Sequence, residues 1–159
     1  MNFRIGNGYD VHRLAPDLPL WLGGILVPHN KGCIAHSDGD VLIHAVCDAL
    51  LGAAGLRDIG VYFPDNDPSL KGVDSKLLLR RVMEKIKEEG YTVGNIDSVI
   101  ALQQPKIKDQ IPEMIRTLAT VMEVDEKIVS IKATTTEKLG FVGREEGIEA
   151  YAVVLLHRA

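Results

Sequence analysis

The chain is short of cysteine, has no surplus of positive charge and lacks any apolar run of membrane-spanning length. Each shortage excludes a class of function. Only two cysteines, Cys33 and Cys47, occur among 159 residues, and they form no CxxC pair. Both sit in apolar surroundings, so reduced core thiols in a reducing compartment are expected rather than a disulfide framework. The formal net charge is -4, whereas a nucleic-acid binder needs a basic footprint, so no nucleic-acid partner is expected. A small phosphorylated ligand needs only a few local donors and stays open. No apolar stretch approaches the roughly 20 residues that cross a bilayer. The opening MNFRIGNGYDVH has neither the apolar centre of a signal peptide nor the Arg- and Ser-rich character of a transit peptide. A cytoplasmic protein with no membrane partner is the expectation. Also missing are a GxxxxGK(S/T) P-loop and a G-x-G-x-x-G dinucleotide fingerprint, so a phosphate site here must be of another type.

What is present suits an ordinary globular protein. Hydrophobic residues make up 46% and charged residues 25%, and no repeat or linker divides the chain, so 1–159 is read as one domain. Residues 2–12 read as a strand ending at Asp10-Val11-His12. Leu18–Leu22 and Ile25–Val27 flank Gly23-Gly24, a hairpin signal because glycine tolerates positive φ. A helix is expected over 38–54 with Ser37 as N-cap, then a Pro- and Asp-rich loop at 57–68. A second helix covers 74–89 and stops at Gly90. Tyr91–Leu102 reads as strand, Pro112–Met122 as helix, Lys127–Thr134 and Gly147–His157 as strands. Strands alternating with helices predict an α+β, two-layer fold: a mixed sheet with helices packed on one face. The other face would need a partner.

Two segments suggest a metal. Residues i and i+2 of a strand share a face, so Asp10 and His12 can converge on one ion. The helix 38–54 is apolar nearly all round, yet Asp40, His44 and Asp48 recur every four residues as a polar stripe. Buried ionisable groups are costly when unpaired. Two histidines and a carboxylate with one open position suit a catalytic zinc, with Asp40 or Asp48 orienting His44. The same ligand set suits non-haem iron. The bland alternative makes His12 and His44 hydrogen-bonded core residues and Asp10 a turn residue. His36-Ser37-Asp38-Gly39-Asp40 lies where a helix N-terminus would favour a phosphate, or where capping alone would account for it.

Two polar loops complete the set. Asp58, Gly60, Asp65 and Asp67 stand on a Pro-stiffened loop that is not an EF-hand, since the sixth position from Asp65 is Leu70. Clustered carboxylates there can bind polyol hydroxyls, or simply be a solvated turn. The run Thr134-Thr135-Thr136-Glu137-Lys138-Leu139-Gly140-Phe141-Val142-Gly143-Arg144 fits a diphosphate held with a second divalent ion, Glu137 being a hard oxygen ligand for Mg²⁺ or Mn²⁺.

RIGNGYDVHRL, AHSDGDVLIHAVCDALLGAAGLRDIGVYFPD, QQPKI and KATTTEKLGFVGREEGI follow one another in an order that closely resembles the 2-C-methyl-D-erythritol 2,4-cyclodiphosphate synthases over essentially the whole chain. The resemblance implies conversion of 4-diphosphocytidyl-2-C-methyl-D-erythritol 2-phosphate to the cyclic diphosphate with release of CMP, in non-mevalonate isoprenoid biosynthesis. It implies a homotrimer that forms through the uncovered sheet face, with active sites between subunits. Some members carry an isoprenoid diphosphate in an apolar cavity on the threefold axis. By the same resemblance Asp10, His12 and His44 hold one zinc per chain, and Glu137 the Mg²⁺ or Mn²⁺ that accompanies the substrate diphosphate. His36 and Thr135 stabilise the transition state, and Ser37 lies beside the phosphate. Val11 joins Asp10 and His12 in contact with substrate. Asp58, Ile59, Gly60, Phe63, Pro64, Asp65, Asn66 and Asp67 surround the methylerythritol. Leu102, Gln103, Gln104, Pro105, Lys106, Ile107 and Lys108, with Thr134, Thr135, Thr136 and Glu137, form the cytidine and diphosphate pocket, and Phe141 and Arg144 contact substrate nearby. Gln104 stands where a small residue is common in the family.

Such a substrate carries its own nucleophile, the 2-phosphate, which attacks the β-phosphorus and expels CMP; no enzyme nucleophile is needed. The alternatives are a zinc phosphohydrolase or nucleotidase, and a non-catalytic trimeric module that binds metal or nucleotide. Hydrolysis would give a linear product, and a structural zinc site would fill all four positions with protein.

Overall fold

Alternation of buried and exposed side chains fixes the layers. The computed structural model describes residues 2–158, so the expected 1–159 extent includes two terminal residues outside them. In chain order the elements are β1 (Phe3–Pro16), β2 (Leu20–Leu22), β3 (Ile25–Val27), β4 (Lys31–Ile34), α1 (Val41–Ala54), α2 (Ile59–Tyr62), α3 (Ser75–Glu88), β5 (Thr92–Ala101), α4 (Ile111–Met122), β6 (Val129–Thr134), α5 (Gly140–Gly143) and β7 (Gly147–His157). Five strands form a mixed sheet in the order β4-β1-β7-β5-β6. Only β5 and β6 pair in parallel, joined by α4, since parallel neighbours need a crossover. Among the described residues no helix is long and apolar enough to cross a membrane.

One sheet face packs against helices. Along β7, Ile148, Ala150, Ala152, Val154 and Leu156 are buried while Tyr151 and Val153 between them are exposed. The strand β1 repeats the pattern with Gly6 and Gly8 inward and Phe3, Ile5, Tyr9 and Val11 outward. These outward residues leave an apolar strip: Ile5 is 74% exposed, and Tyr9 stacks on its cross-strand neighbour Tyr151 at 4.9 Å between ring centroids. The inner face is closed by α1, of whose 14 residues 11 are buried. Its approach to β1 is unusually close: a Cβ on Gly6 would meet the Ala49 carbonyl oxygen at 2.0 Å, and one on Gly8 the Ala45 oxygen at 1.9 Å.

Several boundaries differ from the sequence reading for definable reasons. Beyond His12, β1 continues to Pro16 because its second half pairs with β4, from Arg13↔Ile34 to Pro16↔Lys31. Asp10 and His12 therefore sit within a strand, opposite Ala150 and Ile148 of β7. The helix α1 starts at Val41, not 38, because Gly39 takes a left-handed φ of 75°. Its N-cap is Asp40 rather than Ser37. The Asp40 carboxylate accepts from Ile43 N at 3.0 Å and from the amides of Gly23 and Gly24 at 3.0 and 2.6 Å. One buried side chain thus caps the helix and clamps the β2–β3 turn onto it. The region 57–68 is more ordered than a loop: it contains α2, and a 3₁₀ turn begins at Pro68.

Gly8→Ala should drive Cβ into the α1 backbone, which cannot rotate away as a side chain would. Overpacking of this kind costs about 3 kcal/mol, a fall in melting temperature of roughly 6–12 °C for a chain of this size. An unchanged melting temperature would show that helix and strand can part freely.

Candidate metal centre

The contact between α1 and β1 brings three donors together. His44 on α1 faces Asp10 and His12 on β1. The Asp10 Oδ2 lies 2.9 Å from His12 Nε2 and 3.0 Å from His44 Nδ1, and the two imidazole nitrogens are 3.1 Å apart. A tetrahedral ion bound at zinc distances needs its donors roughly 3.3 Å apart, so this set fits one with little movement. One carboxylate oxygen and two imidazole nitrogens are also the right chemistry for it. The fourth side opens on a cavity of about 410 Å³ lined by the triad, His36, Ser37, Asp48, Asp58, Ile59, Gly60, Phe63 and Asp65, with Leu70, Val73 and Leu78 as an apolar wall.

Electrostatics reflect this crowding. Burial works to raise the Asp10 carboxyl, but hydrogen bonds and charge from His12 and His44 outweigh it and hold it at about 2. For His44 burial opposes the charged form, yet the hydrogen bond and charge of Asp10 win and its pKa is raised. Burial lifts the Asp48 carboxyl, offset in part by the Ile59 amide, which donates to its Oδ1 at 2.8 Å.

The polar stripe on α1 has other partners than the sequence suggested. The Asp40 carboxylate serves the hairpin turn and that of Asp48 tethers the start of α2; neither carboxylate hydrogen-bonds the His44 ring. The groups that meet the far nitrogen of His44 are Ser75 Oγ at 2.9 Å and Ser37 Oγ at 3.3 Å. The segment 36–40 lies ahead of the helix, whose third amide, Ile43 N, is already taken by Asp40. His36 Nε2 donates to the Asp67 carbonyl at 2.9 Å, joining the two loops around the cavity. The Asp67 carboxylate turns away to accept from Ser69 N and Oγ, while Pro64 and Asn66 do not line this cavity.

Within one chain most of the remaining expected residues line other cavities than the one that the triad opens on. Leu102, Gln103, Pro105, Lys106, Ile107, Lys108, Thr134 and Thr135 line a second cavity of about 170 Å³. Gln104 precedes Pro105 through a cis peptide and does not line it. Glu137 and Lys138 adopt left-handed φ of 53° and 64°, a costly conformation for residues with a Cβ. Glu137 is exposed and accepts from Thr135 Oγ1 at 3.4 Å, while Thr136 Oγ1 donates to the Leu139 carbonyl at 2.7 Å. Val11, Phe141 and Arg144 line a third cavity, which His12 also borders, and the Arg144 guanidinium is held by Glu146 at 3.0 and 3.1 Å. Asp38, Ser75, Leu70, Val73 and Leu78 were not singled out from sequence. Ser75 had one signal, its place at a helix start, which did not reveal that it faces His44.

Residues 3–157 match the model of the YgbB family. The chain is 63% identical to the 2-C-methyl-D-erythritol 2,4-cyclodiphosphate synthase of Porphyromonas gingivalis (strain ATCC BAA-308 / W83), over 97% of this chain and 95% of that one. Among solved structures it resembles the bifunctional IspDF from Campylobacter jejuni, with a TM-score of 0.95 and 44% identity, covering 99% of this chain but 42% of that longer one. It also resembles the IspF of Plasmodium falciparum in its CDP complex, with a TM-score of 0.87 and 37% identity over 99% of this chain and 98% of that one.

A cation entering the triad must displace the proton that Asp10 helps His44 to hold. Because the His44 pKa is raised, this competition sets in above the ordinary histidine value of about 6.5. Apparent zinc affinity should therefore fall between pH 8 and pH 6, approaching about tenfold per unit for one competing proton. Zinc titrations showing equal affinity at both pH values would contradict it.

Proposed function

The chain belongs to the YgbB family, and on that footing we propose that it converts 4-diphosphocytidyl-2-C-methyl-D-erythritol 2-phosphate to 2-C-methyl-D-erythritol 2,4-cyclodiphosphate with release of CMP. The observation that carries this reading is the Asp10–His12–His44 cluster, open on one side to a cavity whose far wall bears Asp58 and Asp65. In this reading the cavity takes the methylerythritol phosphate, and the reaction supplies isoprenoid precursors in the cytoplasm, with 1–159 as one domain.

Ring closure asks the protein to fold a flexible polyanion so that an anionic oxygen meets an anionic phosphorus. Proximity can supply roughly 7–11 kcal/mol in favourable intramolecular cases. Asp10, His12 and His44 would hold one zinc per chain, which when bound supplies Lewis-acid polarisation of a phosphoryl oxygen. The carboxylates of Asp58 and Asp65 suit the sugar hydroxyls as acceptors. Ser37 offers a hydroxyl to the 2-phosphate, and His36, anchored through Nε2 to the Asp67 carbonyl, keeps its other nitrogen for the reacting group. Glu137 would hold the Mg²⁺ or Mn²⁺ that arrives with the diphosphate, beside Thr135, whose hydroxyl would stabilise the developing charge. Leu102 to Lys108 and Thr134 would embrace the cytidine, with Phe141, Arg144 and Val11 at its border.

We further propose a homotrimer in which one chain's triad cavity faces its neighbour's Thr134–Glu137 loop. Two features support this. The two residue sets line separate cavities in one chain, and the outward sheet face carries Phe3, Ile5, Tyr9, Val11, Tyr151 and Val153 in the open. A heterologous contact repeated three times closes a ring with three equivalent sites.

Phosphorus NMR of protein incubated with the cytidyl diphosphate substrate should show the cyclic diphosphate and CMP in equal amounts. A linear phosphorylated product would mean hydrolysis and sink the cyclase reading. For the shared site, His44→Ala and Glu137→Ala chains, each inactive alone, should be unfolded together in equal amounts and reassembled. Each site needs an intact triad from one chain and an intact loop from the next, so roughly a quarter of native activity should return. Background activity in mixed trimers confirmed by mass spectrometry would place both halves in one chain.

A further inference from the structure

The far nitrogen of His44 meets a chain of hydrogen bonds through its nearer hydroxyl, Ser75, with Ser37 Oγ further off at 3.3 Å. His44 Nε2 lies 2.9 Å from Ser75 Oγ. The Ser75 hydroxyl in turn donates to Asp38 Oδ1, and the Ser75 amide donates to Asp38 Oδ2 at 2.8 Å. An ionised carboxylate only accepts, and a hydroxyl has a single proton. With that proton given to Asp38, Ser75 Oγ must accept from His44, so the His44 ring carries its proton on Nε2. Nδ1, 3.0 Å from Asp10 Oδ2, is then the nitrogen that gives up its proton and offers its lone pair to a cation beside Asp10 and His12.

The surroundings hold this chain in place. Ser75 is fully buried at the first position of α3, and His44 is 6% exposed. Asp38 is fixed by more than its carboxylate: its amide donates to the Val73 carbonyl at 3.0 Å, and the Gly72 amide donates to the His36 carbonyl at 2.7 Å. Its Oδ1 also accepts from Asp40 N at 3.1 Å. Three elements meet there: the segment before α1, the start of α3, and α1 itself through His44. The cap of α3 is already made by Asp74, whose Oδ1 accepts from Lys76 N at 2.8 Å, and the Ser75 amide is satisfied by Asp38 Oδ2. The hydroxyl bond to Asp38 adds nothing to the cap, but it orients the acceptor that His44 requires.

We propose that Asp38 and Ser75 are positioning residues for the metal centre, acting through His44 to fix its tautomer and ring plane so that Nδ1 is presented to the cation. Resting on the metal reading above, the inference adds two residues that touch neither metal nor substrate. Partners of this kind typically contribute 10–100-fold in metal affinity. They also raise the basicity of the bound nitrogen, because an imidazole that gives its far proton to an acceptor is a better donor at the near one.

The test is zinc affinity, measured by competition with a chromophoric chelator on protein first stripped of metal. Ser75→Ala keeps the Asp74 cap of α3 and the backbone amide that Asp38 accepts, and removes only the hydroxyl; it should bind zinc about 10–100-fold more weakly while the metal-free protein melts within a few degrees of native. Asp38→Asn keeps an acceptor oxygen but loses the charge, and should weaken zinc about tenfold; it decides the matter should Ser75→Ala fail to fold. Long-range proton–nitrogen NMR of the zinc-loaded native protein should show the His44 proton on Nε2. Native zinc affinity in folded Ser75→Ala, or in Asp38→Asn, would overturn the inference, as would a zinc-loaded His44 protonated on Nδ1. If the native protein takes up no zinc, the metal reading falls and this inference with it.

Discussion

The near contact of α1 with β1 is the constraint on which the site depends. Two of the triad's donors lie on the strand and the third on the helix, so their separation is set by how closely the two backbones approach. Gly6 and Gly8 place no Cβ between them, and Ala45 and Ala49 present the smallest side chains that a helix tolerates well. With larger residues at these positions the helix axis would stand further from the sheet, and His44 Nδ1 would not come within 3.0 Å of Asp10. Packing here does the work of ligand geometry: the core sets the coordination distances.

A second theme is the use of buried carboxylates as connectors. Asp40 is fully buried, and burial raises its pKa against the pull of three backbone amides. It ties the β2–β3 turn to the beginning of α1. Asp48 ties the start of α2 to the middle of that helix, and Asp38 ties the segment before α1 to the start of α3. Each satisfies amides that a turn or helix start leaves without partners. The three together hold the cavity wall on one rigid element, so the loops bearing His36, Asp58 and Asp65 are fixed relative to the metal donors.

Much of this was legible in the sequence, and the failures have physical causes. The sequence pattern located the three long helices α1, α3 and α4 but not the four-residue α2 and α5, and glycines at Gly23, Gly24 and Gly90 marked real turns with positive φ. The pair Asp10 and His12 was readable because strand side chains alternate. His44 stood out as an ionisable group on an apolar helix. The strand β4 was missed because four residues show too little alternation to register, and with it went the continuation of β1 past His12. The true partners of His44 were also hidden. A stripe at helical spacing suggests that Asp40 and Asp48 serve their neighbour, but side chains four apart can point to different elements, as these do. The role of Ser75 depends on a fold that brings residue 75 to residue 44, and no local pattern encodes that meeting.

The pairing of β1 with β7 has a consequence for how the protein is made. Phe3 lies opposite His157, and Gly147 opposite Arg13, so β1 finds its main partner in a strand that is made much later. While translation proceeds, β1 can pair only with the short β4, and its apolar outward residues have no finished sheet to belong to. Contacts between such distant parts of a chain close slowly, and a nascent chain that exposes strand edges is open to misassembly. Asp10 and His12 thus leave the ribosome well before β7 exists, yet their strand enters the finished sheet only once β7 has been made.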